Sequence, residues 1–268
     1  MSITRKKQDL RYLKWSHIRS SSGTAGTFLK AESTIGGRKK YYKLSNFDPG
    51  LGVVGHECVN EIIVDRLLTL FGIEHLPYEL INADIEIEGR TFATYLCASY
   101  DFKSKGESKI ALDDYYRTNA YPSESHYDFC IRNGWGKYIN EMLAVDYIIL
   151  NRDRHGANIE VLRNARAHTL RIAPLFDHGV SLLYSCTTDD EAQAFNVLED
   201  KPCQNFIGTR SCRENLKLIH GGRIDLTGKL KPTDRSYIFD GLDGILSPVF
   251  MDKIWEMIWE RYMVYEEL

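Results

Sequence analysis

The stretch Asn151-Arg152-Asp153-Arg154-His155-Gly156-Ala157-Asn158, followed downstream by Phe176-Asp177-His178-Gly179, carries the strongest chemical signal in the chain. Asp153 and Asn158 stand in the D-x-x-x-x-N spacing of a phosphoryl-transfer loop, and Asp177 follows as a separate carboxylate. Moving a γ-phosphoryl group needs a carboxylate to orient the attacking hydroxyl. It also needs an amide oxygen and a second carboxylate to hold the Mg²⁺ ions that neutralise charge between the β and γ phosphates. The spacing alone is weak, because Asp and Asn are ordinary loop residues, and the order of the flanking segments adds weight. An apolar helical run over residues 138–150 delivers the loop, Ile159, Val161 and Leu162 leave it, and Leu170-Arg171-Ile172-Ala173-Pro174-Leu175 leads into the second Asp. The pattern predicts helix, loop, hairpin, acid. A purely structural account would instead pair Asp153 with Arg152 or Arg154 and use Asp177 to cap a turn before Gly179.

Upstream, the character of the chain changes near Tyr100. Before it, short strand-like runs dominate. Residues 15–19 lead into the cluster Ser20-Ser21-Ser22-Gly23-Thr24-Ala25-Gly26, and an extended pattern resumes over residues 27–31. Gly23 and Gly26 let a backbone approach phosphates closely, and the hydroxyls of Ser22, Thr24 and Thr27 add donors. A mobile polar hairpin tip would have the same composition. Gly36-Gly37 offers a tight turn, and residues 39–44 form the next strand. Within Tyr41-Tyr42-Lys43-Leu44, strand alternation turns Lys43 to the inner face, where it reaches the α and β phosphates. Lys39 and Lys40 are rivals nearer the turn.

Residues 57–71 carry Val59, Ile62, Ile63, Leu67, Leu70 and Phe71 on one helical face that ends at Gly72. Glu57, Glu61 and Asp65 recur every four residues. Uncompensated, such a stripe costs roughly a few tenths of a kcal/mol per pair. A phosphate lysine needs a glutamate on this helix, and Glu61 is the first choice with Glu57 second; a solvated acidic face is the plain alternative. Residues 76–83 and 85–87 read as strands around a turn, and 91–97 as another. Beyond Tyr100 the chain reads mostly as helices and loops. It closes with Val249, Phe250, Ile254, Met257, Ile258 and Tyr262 at helical spacing, with Ser247 as N-cap and Pro248 at the first helical position.

The 268 residues are 43% hydrophobic and 26% charged, ordinary for a globular protein with a sizeable core. A formal charge of −3 argues against a general nucleic-acid coat, so no direct nucleic-acid partner is expected. The basic run Arg5-Lys6-Lys7 reads as a solvated terminus. No apolar stretch approaches the roughly 20 residues of a membrane span, and the N-terminus lacks a signal-peptide core, so a cytoplasmic protein without membrane contact is expected. Cys58, Cys97, Cys130, Cys186, Cys203 and Cys212 show neither C-x-x-C pairs nor zinc spacing, which predicts reduced structural thiols. Neither H-E-x-x-H nor G-x-x-x-x-G-K-[ST] occurs, so zinc-hydrolase and P-loop readings have no support.

The S-S-G-T-A-G loop, the Y-K-L lysine strand, D-R-H-x-x-N and F-D-H-G together resemble the HipA-like serine/threonine kinases of bacteria, especially the short CtkA-type members that consist mainly of the kinase domain. The resemblance spans roughly residues 20–181, with its four motifs in order. It implies that Lys43 is the phosphate lysine, Asp153 the catalytic base, and Asn158 and Asp177 the metal ligands, with ATP and Mg²⁺ as cofactors. Because the family often autophosphorylates a serine in the phosphate loop, Ser20, Ser21, Ser22, Thr24 and Thr27 become candidates. The resemblance further implies a protein substrate and an antitoxin-like or regulatory protein partner. The loop begins so early that the additional N-terminal subdomain of longer members is expected to be absent.

Asn151-Arg152-Asp153 departs from the H-R-D of ordinary protein kinases, His178 replaces the Phe of D-F-G, and no A-P-E follows. The expected fold is α+β and bilobed, protein-kinase-like. Residues 1–99 form a small, antiparallel β-rich N-lobe with one helix, and residues 100–268 a larger helical C-lobe, with a hinge over residues 95–100. The expected function is serine/threonine protein phosphorylation, including autophosphorylation. A small-molecule or lipid head-group kinase of related fold is one alternative, and a catalytically silent nucleotide- or partner-binding module another.

Overall fold

Alternation of inward and outward residues, punctuated by glycine turns, builds the first part of the chain into one sheet. The structure, a computed structural model, describes residues 3–18, 25–219 and 223–268. Strands β1 (Ile3–Asp9), β2 (Ser16–Ile18), β3 (Ala25–Ile35) and β4 (Arg38–Lys43) precede helix α1 (Glu57–Phe71), and β5 (Glu79–Ile87) and β6 (Arg90–Tyr100) follow it. The strand order is β1-β5-β6-β4-β3-β2. Gly36 and Gly37 reverse the chain between β3 and β4 at φ of +56° and +77°, conformations that cost other residues energy.

Pairing is antiparallel except at one edge, where β1 runs parallel to β5. The basic run Arg5-Lys6-Lys7 is therefore an edge strand, a place where long exposed cations are favoured because they discourage further strand addition. β5 also runs unbroken where two strands were expected. Asp84 interrupts the apolar pattern without ending the strand, since its carboxylate meets Lys7 at 3.2 Å on the surface.

The two faces of the sheet separate cleanly. Leu29, Ala31, Tyr42, Leu44, Ile81, Ile85 and Leu96 pack on one side with Leu10 and Leu13. On the other, Leu80 and Cys97 pack with Val59, Ile62, Ile63 and Leu67 of α1. Lys43, between Tyr42 and Leu44, is thereby directed to the α1 side. As its sequence predicts, α1 ends at Gly72, at φ +69°.

The rest of the chain is mainly helical around a small sheet. It contains β7 (Ser108–Ala111), α2 (Leu112–Asn119), α3 (His126–Arg132), α4 (Gly136–Ile148), β8 (Glu160–Asn164), β9 (Thr169–Ile172) and the closing helix α5 (Pro248–Glu266). Strands β9, β8 and β7 form an antiparallel sheet in that order. Helix α5 starts as expected, with Ser247 Oγ accepting the Phe250 amide at 3.3 Å and Pro248 next. Its buried Arg261 donates to the carbonyl of Tyr147 at 2.7 Å and stacks 4.6 Å over that ring. This adds a second donor to a carbonyl in the last turn of α4 that also accepts the Leu150 amide at 3.2 Å, and it fixes the point from which the Asp153 loop departs. All six cysteines are free and buried. Among the described residues, no helix is long and apolar enough to cross a membrane.

Candidate active site

Three backbone positions mark the site before any side chain is considered. Leu150, Asp177 and Leu182 adopt φ of +51°, +61° and +54°, and they flank the two loops singled out in the sequence. A leucine held there is costly, and such residues persist where surrounding structure over-determines them.

The Asp153 loop is pinned from below by an ion pair that sequence reasoning missed. Arg154, fully buried, grips Asp146 of α4 with Nε at 3.0 Å and Nη2 at 2.9 Å. Burial works against the guanidinium charge, but Asp146 outweighs it and holds Arg154 more firmly protonated than an ordinary arginine. The third nitrogen, Nη1, donates to the carbonyl of Phe176 at 2.9 Å and, more weakly, to that of Asn158 at 3.4 Å. One side chain thus ties both motif loops to one helix. Asn151 adds to the clasp, since its Nδ2 donates to Asp146 at 2.9 Å while its Oδ1 accepts the Asp153 amide at 3.1 Å. The histidine of H-R-D is thus replaced by a residue that positions Asp153 through its backbone.

The structural alternative that pairs Asp153 with a neighbouring arginine does not hold. Arg154 is committed to Asp146, and Arg152 Nε donates to the Pro202 carbonyl. The half-buried Asp153 carboxylate instead has His155 Nε2 at 3.6 Å. Gly156 keeps the loop close to its surroundings, because a Cβ there would stand 2.5 Å from Asp113 Cβ.

The second loop is held by α1. Lys43 Nζ lies 3.0 Å from Glu61 Oε1 and 2.5 Å from Asp177 Oδ1. Glu61 Oε2 accepts the His178 amide at 2.9 Å, and Asn60 Nδ2 donates to the carbonyls of Gly179 and Ser181, both at 3.0 Å. At Gly179 the approach to α1 is tight, with a notional Cβ 3.2 Å from the Glu57 carbonyl oxygen. Burial opposes the Lys43 charge, yet Asp177 and Glu61 outweigh it and hold the ammonium well above its ordinary range. Burial also lifts the Glu61 carboxyl, against the pull of Lys43. His178 is buried, and desolvation first and Arg154 second press its basicity well below the usual range, so it stays neutral.

The acidic stripe of α1 is internal. Glu57 accepts the Asn46 amide at 3.0 Å, Glu61 takes Lys43, and Asp65 meets His75 at 3.0 Å. Each buried carboxylate has its own donor, so Glu61 is the partner of Lys43 and Glu57 secures the loop before the helix. Lys39 and Lys40 are engaged elsewhere, with Glu32 and Glu79 respectively, each at 2.7 Å.

Lys43, Asn158 and Asp177 line one open cleft. Tyr41, Tyr100, Phe102 and Phe176 give it aromatic walls, with Leu76 and Cys97 deeper. Lys109 and Glu160 also line it, and this combination of aromatic walls and charged side chains suits a nucleotide's base and phosphates. Asn158 donates through Nδ2 to the Asp153 carbonyl at 2.8 Å, and its Oδ1 is buried with no protein partner. Asp153 is joined to the cleft through that bond and is not among its lining residues. Of the phosphate-loop candidates, Ser20, Ser21, Ser22, Gly23 and Thr24 lie outside the described residues, while Gly26 and Thr27 fall in β3.

No family model and no curated protein matches the chain in sequence. Among solved structures it is similar to the proinflammatory kinase CtkA of Helicobacter pylori, with a TM-score of 0.63 over 97% of both chains at 15% identity. The chain has the fold of the CtkA kinase. HipA of the Shewanella oneidensis MR-1 toxin–antitoxin system, solved with HipB and operator DNA, matches with a TM-score of 0.43 at 12% identity, over 91% of this chain and 66% of that one. On the CtkA-like framework, the Lys43–Glu61 pair falls on the strand and helix of the sheet-bearing part, and Asp153, Asn158 and Asp177 on the short connecting segments after α4 and after β9 in the helical part.

Proposed function

We propose that this chain is an ATP- and Mg²⁺-dependent serine/threonine protein kinase, built as an N-lobe over residues 1–99 and a C-lobe over residues 100–268. The observation that carries the reading is Lys43, buried on a kinase-like fold, with its ammonium shared between Glu61 and Asp177 in a cleft with aromatic walls. A desolvated lysine fixed by a helix glutamate serves to place a triphosphate. Asp153, at the end of a pinned loop, accepts the proton of the acceptor hydroxyl and orients its oxygen toward the γ phosphate.

The residues present fit a magnesium ion. Asn158 offers a buried, unpartnered amide oxygen, and Asp177 a carboxylate in the same cleft. Mg²⁺ commonly takes one or two protein oxygens and completes its shell with water and substrate phosphates. When bound, the ion would neutralise phosphate charge. Asp177→Ala should therefore weaken Mg²⁺–nucleotide binding by at least about tenfold, or about 1.4 kcal/mol. Calorimetry with Mg²⁺ and a nonhydrolysable ATP analogue measures this, and wild-type affinity would remove Asp177 from the metal role.

Incubation of the purified chain with labelled ATP and Mg²⁺, followed by intact mass, tests the activity. Added mass on protein is expected. ATP consumption that depends on an added metabolite would favour the small-molecule alternative, and no turnover with tight nucleotide binding would favour a silent module. The joint presence of Lys43, Glu61, Asp153, Asn158 and Asp177 speaks against the latter.

Self-phosphorylation belongs to the same proposal, with phosphate mapping to Ser20, Ser21, Ser22, Thr24 or Thr27. A phosphate there adds about −1.5 to −2 charges next to the phosphates of ATP, and repulsion should lower nucleotide affinity. Peptide mapping that places every phosphate elsewhere would sink this part. An antitoxin-like or regulatory protein partner is supported by the sequence resemblance alone.

A further inference from the structure

A second cleft lies away from the nucleotide site, between α2 and the β8–β9 hairpin. It is lined by Ile110, Tyr115 and Asn119 on one side and Arg163, His168 and Leu170 on the other. Its charge is one-sided. Residues 161–176 contain Arg163, Arg166, His168 and Arg171 but no carboxylate. Arg171 is consumed by Glu107, with both contacts at 2.8 Å. Arg163, Arg166 and His168 are exposed and enter no ion pair among the described residues. Lys103 and Lys105, also exposed, stand in the loop whose Gly106 closes on Asn164, where a Cβ would lie 3.2 Å from the Asn164 amide nitrogen.

A protein of net charge −3 thus gathers the unpaired arginines Arg163 and Arg166, with Lys103 and Lys105 nearby, around one concave surface. Such an arrangement steers and holds a partner of opposite charge. We propose that this cleft docks an acidic segment of the protein acceptor, whose carboxylates pair with Arg163 and Arg166.

The placement suits that role. Strand β8 begins two residues after Asn158 and ends at the cleft, and its five residues span about 17 Å at strand rise. An acidic cluster docked there lies on the order of five extended residues from the hydroxyl presented to Asp153. A peptide fits better than nucleic acid for two reasons. The lining includes Ile110, Tyr115 and Leu170, which suit side chains rather than a sugar–phosphate backbone. Asp113 and Asp114, in the first turn of α2 between this cleft and the Asp153 loop, would repel a continuing polyanion.

The identity of the bound segment as part of an acceptor rests on the kinase reading; the binding does not. The test is fluorescence anisotropy on the full chain with a short labelled peptide of glutamate and serine, compared with its alanine-for-glutamate counterpart. Saturable binding of the acidic peptide is expected, weakened at least about tenfold by R163E/R166E and less by R163Q/R166Q, with Mg²⁺–nucleotide affinity unchanged. Equal binding of the two peptides, or equal affinity in both arginine variants, overturns the proposal. So does displacement of the peptide by a lower concentration of a single-stranded oligonucleotide, which would assign the surface to nucleic acid. Peptide binding that follows the arginines in a chain unable to transfer phosphate keeps the docking and removes the kinase reading. Phosphate transfer indifferent to the arginines does the reverse.

Discussion

Asp153→Asn is expected to cut phosphoryl transfer by roughly 10²–10⁴-fold while leaving the fold and nucleotide affinity intact. The substitution is isosteric, and the contacts that shape the loop use backbone atoms of this residue. Its amide is held by Asn151 Oδ1 at 3.1 Å, and its carbonyl by Asn158 Nδ2 at 2.8 Å. Neither bond depends on the carboxylate. What changes is proton acceptance from the acceptor hydroxyl, which an amide cannot perform. Initial rates with labelled ATP, set beside circular dichroism and nucleotide calorimetry, separate this outcome from the binding loss expected of Asp177→Ala. Retained turnover in a correctly folded Asp153→Asn would take the base role away from Asp153.

Much of this site was legible because its chemistry is local in sequence. Asp153 and Asn158 share one loop, and strand alternation sent Lys43 inward between Tyr42 and Leu44. Helical spacing placed Glu57, Glu61 and Asp65 on one face, but it could not say which side of the helix was covered. That depended on the sheet and on the Phe176–Gly179 loop arriving from far along the chain. Strand β1 was obscured because edge strands tolerate charge, so Arg5-Lys6-Lys7 carries no apolar alternation. Strand β7 was missed for a related reason: Ser108–Ala111 is short, and β8 supplies its pairing partner from a distant part of the chain. The clasp at Asp146 did leave a trace. A carboxylate inside the apolar run of residues 142–150 must find a cation once buried. The nearest downstream arginines, Arg152 and Arg154, were the ones to ask about.

Asp146→Ala should destabilise the protein by about 3–5 kcal/mol, because it strands the fully buried Arg154 charge without a counterion. For a chain of this size, each kcal/mol lowers the melting temperature by about 2–4 °C, so a fall on the order of 10 °C is expected by calorimetry. The companion variant separates stability from positioning. Replacing both partners, Asp146→Leu with Arg154→Met, removes the stranded charge and should recover most of the lost stability, since apolar pairs often substitute for buried ion pairs at little cost. Phosphoryl transfer should not recover. The carbonyls of Phe176 and Asn158 lose the Arg154 Nη1 donor, and Asn151 loses the carboxylate that orients it toward the Asp153 amide. Both loops then keep their sequence but lose their mutual register. A double variant that regains melting temperature and turnover together would show that the clasp only stabilises; one that regains melting temperature alone assigns the pair to positioning the two loops.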